Sequence, residues 1–257
     1  MNTPDSIIET HFRNAASYAS LYEIDGPLSF FFRTRLRHVD RLLGDCRGMR
    51  ILDAGSGPGM VAAILQRRGC HYVAVDRSLA MVTECWRRFG ALGYVSVSAG
   101  RMQQLPYRAA SFDVVLCLGA LEYLQTPERA IAEFARVLRP GGTMILSMLN
   151  PYSPYRIVRH RVYRSAVANR IKKAFDIPVV YEPPLYMVSE SRLAQHLVRS
   201  RLAPVESVYF DWNLLVPPLE AKLPAYIRQL WHLLEPFSQT SLRKLCTGYI
   251  VKARKIA

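Results

Sequence analysis

The chain has 257 residues, half of them hydrophobic, which is enough to bury the core of one large α/β domain and argues against bulk disorder. No apolar run reaches the roughly 18 to 20 residues that a membrane-spanning helix needs, and Met1–Thr10 lacks the basic start of a secretory signal. The net charge of +14 favours an anionic partner: nucleic acid, an anionic membrane surface or a phosphorylated substrate. A solubilising, arginine-rich surface explains the charge equally well.

The cysteines indicate neither a zinc site nor a disulfide framework. They are odd in number, scattered, and include no CxxC pair: Cys46, Cys70, Cys85, Cys117 and Cys246. We therefore expect no bound metal and a reducing, cytoplasmic setting.

Two helices are predicted before the first strand, and a regular alternation follows. Helical spacing of apolar residues predicts helices at Ile7–Tyr22 and Leu28–Leu43, which we assign to a helical lid of residues 1–48. In residues 49–150 the predicted strands are Met49–Ala54, His71–Val75, Val95–Ala99, Phe112–Leu118 and Thr143–Leu149. The predicted helices are Met60–Arg68, Leu79–Phe89 and Pro127–Leu138, with a turn at Arg139–Gly142. This order predicts a doubly wound, Rossmann-like α/β fold with helices on both faces of a parallel sheet.

The regularity lapses after Asn150 and returns later. The later elements predicted are a helix at Ser189–Ser200, a strand at Val205–Trp212, a helical stretch at Pro217–Pro236 and a strand at Gly248–Ala253. We interpret residues 151–184 and 217–242 as cap insertions over the site, and residues 185–216 and 243–257 as the completion of the sheet. The whole chain, 1–257, is then one domain. Aromatic residues among prolines suggest an apolar cap: Trp212, Tyr226, Trp231 and Phe237.

The segment Ile51–Gly59 carries the chemistry, together with Asp76. Its glycines, at a strand-to-helix turn, let the backbone approach a nucleotide, and an acid that ends the next strand accepts hydrogen bonds from ribose hydroxyls. A dinucleotide fingerprint needs a glycine where Met60 stands. Asp53 beside the loop disfavours phosphate and suits an ammonium group. These features favour S-adenosylmethionine, which has an adenosine, a cationic amino group and no pyrophosphate.

Residues 51–149 resemble the class I methyltransferase core of the ubiquinone and menaquinone biosynthesis type, also called methyltransferase type 11. The matching motifs are Leu52–Gly59, Val75–Ser78, Leu105–Tyr107, Ser111–Val115, Leu121–Leu124 and Arg136–Gly142. The resemblance implies a seven-stranded sheet with only the last strand antiparallel, and S-adenosylmethionine as donor with S-adenosylhomocysteine as product. One departure is Arg101, which follows Gly100 where the family often has an acid for the adenine amino group. Another is Arg13. The first helix of the family commonly carries an aromatic residue followed by an acid, and Arg13 stands in the place of that acid.

The motifs and the resemblance together assign residues to the site. The predicted donor contacts are Asp53, Ala54, Gly55, Ser56, Gly57, Gly59, Asp76, Arg77, Arg101, Met102, Leu118, Phe12 and Tyr18. Tyr123 and Glu122 are the catalytic candidates, although an unperturbed phenol titrates near 10 and is a poor base. Asp113 is interpreted as a buried hydrogen-bonding residue. His11, Tyr22 and Tyr152 are candidates for contact with the methyl acceptor, with helix packing as the alternative for the first two.

The stretch Arg156–Lys173 contains seven Lys or Arg residues and no acid, interleaved with apolar residues. Such a segment is typical of a helix that lies on anionic lipid, and it equally suits a phosphorylated substrate, RNA or a solvated face. The predicted function is methyl transfer to a small lipophilic metabolite: a quinone precursor, polyketide, isoprenoid or lipid-linked compound. The alternatives are an RNA methyltransferase and a catalytically silent donor-binding scaffold. After the fourth strand the chain lacks the Asp/Asn-Pro-Pro-Tyr/Phe signature of nucleic-acid amino methyltransferases, which argues against methylation of DNA bases.

Overall fold

A seven-stranded sheet forms the centre of the computed structural model, which describes residues 12–23, 27–159, 165, 170, 185–213 and 224–256. The strands are β1 Arg50–Ala54, β2 His71–Asp76, β3 Val95–Ala99, β4 Phe112–Leu118, β5 Leu138–Leu149, β6 Leu202–Phe210 and β7 Gly248–Lys255. Their order across the sheet is β3-β2-β1-β4-β5-β7-β6. Strands β1 to β5 pair in parallel, and β7 is antiparallel to both β5 and β6. The predicted Rossmann-like sheet with an antiparallel last strand is confirmed.

Helices cover both faces of this sheet. They are α1 Ala15–Ser20, α2 Pro27–Leu43, α3 Val61–Leu65, α4 Leu79–Phe89, α5 Pro127–Val137, α6 Pro154–Ile157, α7 Glu190–Arg199 and α8 Pro224–Leu234. Short 3-10 helices occur at Leu121–Tyr123, Glu235–Gln239 and Ser241–Leu245. One buried cluster joins α5 and α7 to the sheet, and a second joins α2, α3 and α4 to it. The carboxyl ends of β1, β2 and β4 therefore open between two packed layers, where open α/β sheets bind ligands.

Some predicted boundaries are wrong. Helix α3 ends at Leu65 and not at Arg68, because Arg67 and Gly69 have φ values of 66° and 64°. Strand β5 begins at Leu138, and its pairing with β4 is interrupted between Leu138 and Thr143, where a turn was expected. In the first predicted helix, α1 starts at Ala15 after an Asn14 side-chain cap, and Ile7–His11 lies outside the described residues.

The segments after β5 and β6 are tied to each other. The Asn150 side-chain amide donates to the carbonyls of Lys244 and Cys246, at 2.7 and 2.8 Å. The Trp212 indole donates to the Ser238 hydroxyl at 2.7 Å. Of Arg156–Lys173 the structure describes only 156–159, 165 and 170, so the predicted basic helix lies mostly outside the described residues.

Two global properties bear on function. All five cysteines are free and buried. Within the described residues, every helix is too short or too polar to cross a membrane.

Candidate active site

A cavity of about 860 Å³, including its solvent-open mouth, lies at the carboxyl ends of β1, β2 and β4. Ten of the predicted donor contacts line it: Phe12, Tyr18, Gly55, Ser56, Gly57, Asp76, Arg77, Arg101, Met102 and Leu118. Tyr22 and Tyr123 complete the wall on the side of the acceptor candidates. The sequence motifs thus come together around one space.

The loop after β1 forms the floor of the cavity. The backbone amides of Gly55 and Ser56 donate to the Val75 carbonyl, at 2.7 and 3.1 Å, which ties the loop to β2. Gly55 has a φ of 76°, and a Cβ there would lie 2.4 Å from the Cβ of Ala120. Only glycine fits this position, because any side chain would clash with Ala120. Since Gly55 lines the cavity, its backbone faces whatever occupies that space.

Asp76 is a carboxylate held at the cavity wall. Its Oδ2 accepts from the Gly57 amide and its Oδ1 from the Ser78 amide, both at 2.9 Å. Burial raises the pKa of Asp76, while the Ser78 and Gly57 amides oppose that rise. Each oxygen keeps a second acceptor position, so the carboxylate can receive the two hydroxyls of a ribose.

Three predicted donor contacts do not line the cavity: Ala54, Gly59 and Asp53, of which Asp53 lines a second cavity. Ala54 is completely buried in β1 beneath the loop. Gly59 is not among the lining residues, and a Cβ on it would lie 2.3 Å from the Cys85 Sγ. The absence of a side chain at Gly59 is explained by the close packing of α4.

Asp53 lines a second, smaller cavity of about 250 Å³, including its opening to solvent, which shares Tyr22, Gly55, Ser56 and Leu118 with the first. Its Oδ2 accepts from the Tyr72 hydroxyl at 2.7 Å, and its buried Oδ1 has no partner among the described residues. Burial raises the pKa of Asp53 to about 7. A buried carboxylate with an unused oxygen is suited to a cationic group.

Arg35 lines the same small cavity and was missed in the sequence. It is only 4% exposed, its Nη2 donates to the Tyr22 hydroxyl at 2.9 Å, and its Nε has no hydrogen-bond partner among the described residues. The missed signal is its position: Arg35 is on the buried stripe of α2 with Phe31, Val39 and Leu42. Arg35 and Asp53 together offer opposite charges to a zwitterion such as an amino acid tail.

An aromatic cluster closes the cavity on the N-terminal side. The Phe12 ring meets those of Tyr18 and Tyr123 edge to face, with centroids 5.5 and 5.3 Å apart. Tyr22 stacks on Phe32 with centroids 4.4 Å apart. Four of these rings, those of Phe12, Tyr18, Tyr22 and Tyr123, line the cavity and give this side of it an apolar wall.

The two catalytic candidates have different surroundings. Tyr123 lines the cavity, whereas Glu122 is 3% exposed, is not part of the lining, and has no partner for its Oε2 among the described residues. Burial raises the pKa of Glu122 to about 6. Glu122 is therefore placed to influence the site through its charge and not by touching a ligand in this cavity.

Some residues predicted on the acceptor side lie away from the cavity, and one is not among the described residues. Tyr152 is 60% exposed and does not line the cavity, because it follows β5, away from β1 and β2. His11 lies outside the described residues. Trp212 and Trp231 are buried in the core beside β6, and the described part of 217–242 contributes nothing to the cavity lining.

Asp113 accepts from the Arg50 amide at 2.6 Å and pairs with Arg139, a structural arrangement.

Comparisons with known proteins agree with this geometry. The methyltransferase domain family matches residues 52–146. The ubiquinone biosynthesis O-methyltransferase of Alkalilimnicola ehrlichii is 37% identical over 128 residues, 48% of this chain and 51% of that protein. The demethylmenaquinone methyltransferase of Renibacterium salmoninarum is 30% identical over 167 residues, 63% of this chain and 69% of that protein. The chain thus spans about half the length of the ubiquinone-type relative and over two thirds of the menaquinone-type one.

A solved structure supports the fold across nearly the whole chain. Magnesium protoporphyrin IX methyltransferase from Synechocystis PCC 6803, with bound S-adenosylhomocysteine, matches with a TM-score of 0.61 at 16% identity. The match covers 98% of this chain and 99% of that one. At this identity the likeness concerns the fold.

Proposed function

Because the chain belongs to the class I S-adenosylmethionine-dependent methyltransferase family, we propose that it transfers a methyl group to a small lipophilic acceptor of the quinone-precursor kind. The observation that carries this proposal is that the glycine loop, the Asp76 carboxylate and the ring of Tyr123 line one and the same cavity. The names of the relatives, a ubiquinone biosynthesis O-methyltransferase and a demethylmenaquinone methyltransferase, favour a quinone-type acceptor over a polyketide, an isoprenoid or another lipid-linked compound.

The residues of the site fit the donor in three places. Asp76 would accept the ribose hydroxyls, and the Gly55–Gly57 backbone would lie under the nucleoside. Asp53 would face the ammonium and Arg35 the carboxylate of the amino acid tail, since both line the smaller cavity. The unpartnered Oδ1 of Asp53 and Nε of Arg35 support this assignment, because buried polar atoms ordinarily have partners.

Positioning is the main work of the protein. S-adenosylmethionine supplies a methyl group already activated by its sulfonium, so transfer is an in-line displacement by the acceptor. Phe12, Tyr18 and Tyr123 would exclude water and hold the acceptor against that methyl group. Within the described residues no strong base lines the cavity, so an acceptor that ionises readily, such as a phenol, suits the site best.

Titration calorimetry and a methylation assay test this proposal. S-adenosylmethionine should bind, and Asp76→Asn should weaken binding about tenfold or more, since it removes a charged acceptor of two hydrogen bonds. Asp45→Asn is the matched control and should leave the affinity for the donor unchanged. Asp45 is exposed and precedes the amino end of β1, whereas the cavity lies at the carboxyl end. With labelled donor, hydroxylated quinone precursors should gain a methyl group. Absence of donor binding would refute the function, while binding without transfer to these compounds would refute the acceptor class alone.

A further inference from the structure

Two surface segments leave the sheet at the same edge as the cavity. Residues 150–159 follow the carboxyl end of β5, and residues 211–247 connect the carboxyl end of β6 to the start of β7. Gly248 is in register with both Leu149 and Phe210, so these connections lie side by side. The cavity occupies the neighbouring half of this edge, over β2, β1 and β4.

These segments carry an unusual share of exposed apolar side chains. Of the twelve large hydrophobic residues exposed in the described structure, seven lie within 150–159 and 231–247. We call them the apolar edge: Tyr152 at 60% exposure, Ile157 at 38%, Val158 at 39%, Leu233 at 68%, Phe237 at 43%, Leu242 at 47% and Leu245 at 40%. Exposed apolar residues grouped in this way mark a contact surface, whereas isolated ones need no explanation.

The exposure belongs to the folded protein, because the same segments are anchored in the core. Trp231 is 3% exposed and Cys246 is fully buried. The Asn150 side chain holds the carbonyls of Lys244 and Cys246, so the turn bearing Leu242 and Leu245 is fixed. Residues three apart in a 3-10 helix eclipse each other, which places Leu242 and Leu245 on one side of that turn.

The charges beside the apolar edge are mostly positive. Residues 150–159 and 231–247 contain one acid, the half-buried Glu235, and four basic residues. The Nε of Arg156 is buried and its guanidinium packs on Phe31 and Tyr155, so the basic residues that reach the surface are the half-buried Arg159 and Arg243 and the exposed Lys244. Lys244 is exposed between Leu242 and Leu245. Apolar side chains that insert among headgroups, flanked by Lys and Arg, are typical of proteins that lie on an anionic membrane. A chain with a net charge of +14 is attracted to such a surface as a whole.

We propose that the apolar edge docks on the surface of an anionic lipid bilayer. Because the apolar edge and the cavity lie at the same end of the sheet, docking would bring the site close to lipophilic molecules dissolved in the membrane. The link to the acceptor rests on the proposed function, whereas the docking itself does not.

Sedimentation with lipid vesicles, in the absence of donor, tests the proposal. The full chain should sediment with vesicles of equal parts phosphatidylcholine and phosphatidylglycerol, and much less with phosphatidylcholine alone. The combined variant Leu233→Gln, Leu242→Gln, Leu245→Gln should bind the vesicles about tenfold more weakly. Glutamine at these positions removes the apolar surface that would be buried among the lipid headgroups. Lys244→Glu should weaken binding and reduce its dependence on salt.

The matched control is Val198→Gln with Val205→Gln, which removes side chains 59% and 61% exposed on α7 and β6. This variant should bind vesicles like the unaltered protein. Equal sedimentation of the triple leucine variant and the unaltered chain would overturn the proposal. So would a concentration-dependent dimer that the triple variant abolishes, since the apolar edge would then contact a second copy. Donor binding measured on the same variants separates these outcomes from failure of the proposed function.

Discussion

The most unusual single residue of the site is Asp53, a carboxylate placed where water cannot solvate it. Its environment offers one hydrogen bond, from the Tyr72 hydroxyl, and the charge of Arg35 nearby. These do not offset burial, which raises its pKa to about 7. The folded state therefore binds a proton on Asp53 that the unfolded chain loses near its ordinary pKa of 3.8. The ionised, buried Asp53 lowers the stability of the folded protein when no ligand is bound, and its charge becomes favourable when a cationic group binds beside it.

This leads to a prediction for Asp53→Asn. The free energy of unfolding of the unaltered chain should fall as pH rises between about 4 and 7, because the folded state holds the extra proton in that window. Asparagine at this position does not titrate, so Asp53→Asn should not lose stability in this pH window. At pH 8 the variant should therefore be about 1–3 kcal/mol more stable than the unaltered chain. Its donor affinity should be lower and should lose the rise with pH that a carboxylate partner gives. Denaturation and calorimetry at pH 5 and pH 8 check both effects.

The pH 5 measurement is the internal control. At that pH Asp53 in the folded protein still holds its proton, so the variant and the unaltered chain should differ less in stability than at pH 8. A variant that is less stable than the unaltered protein at pH 8 would contradict the description of Asp53 as a desolvated carboxylate. Glu122, with a pKa raised to about 6, acts in the same direction and is unchanged by the substitution.

At the scale of elements, the position of α4 is set by the loop that precedes α3. Gly59 has a φ of 77°, and the α4 residue Cys85 lies so close to it that a Cβ has no room. Gly59, which the motif assigns to donor binding, thus also has a packing role. It lets α4 approach β1, and this approach holds the loop in its place under the cavity.

Gly59→Ala should lower the free energy of unfolding by about 2–4 kcal/mol, through the clash with Cys85 and the strained φ. Gly48→Ala is the matched control: its φ is 71°, but nothing lies within 4 Å, so only the strain of about 1 kcal/mol applies. Adding Cys85→Ala to Gly59→Ala should recover the steric part. Chemical denaturation measures these three variants and Cys85→Ala alone, and purely additive effects of the Gly59 and Cys85 changes would contradict a clash between them.

Regular elements were predictable from the sequence to the extent that local pattern determines them. Helix α4 and strands β3 and β4 have the predicted bounds, because the Ser78 cap of α4, the Val-Ser alternation of β3 and the nearly continuous apolar run of β4 are local signals. The start of β6 was missed because Pro204 interrupts the pattern, which is tolerated at a sheet edge where the register is irregular. The position of Arg35 on the apolar stripe of α2 is a local signal, but its neighbours Tyr22 and Asp53 come from other segments, so its role in the site was not predictable. The burial of Trp231 likewise depends on packing between distant segments. The division into a lid of 1–48, a core of 49–150 and two caps stays a prediction.

At the scale of the whole molecule, donor binding and folding are linked. The cavity is lined by α1, β2, β4 and the loops after β1, β2 and β4, so a bound donor would contact elements from both core clusters. A ligand that binds only the folded state stabilises all of it.

S-adenosylmethionine and S-adenosylhomocysteine should each raise the melting temperature by about 5–10 °C at a hundredfold excess over Kd, a stabilisation of about 2.7 kcal/mol. NAD should give no shift, because Met60 replaces the last glycine of a dinucleotide fingerprint and Asp53 disfavours phosphate. Differential scanning fluorimetry is sufficient. A shift with NAD equal to that with S-adenosylmethionine would contradict the choice of donor.

The five buried cysteines give the protein a built-in reporter of its own opening. Burial raises the pKa of Cys85 to about 12, so this thiol reacts with alkylating reagents only when the structure around it opens. Cys85 lies against Gly59, next to the loop under the cavity, while Cys246 lies beyond β5 beneath the turn of Leu242 and Leu245. The rates at which these two thiols are alkylated would time the local opening of the donor loop and of the apolar edge separately, without any added label.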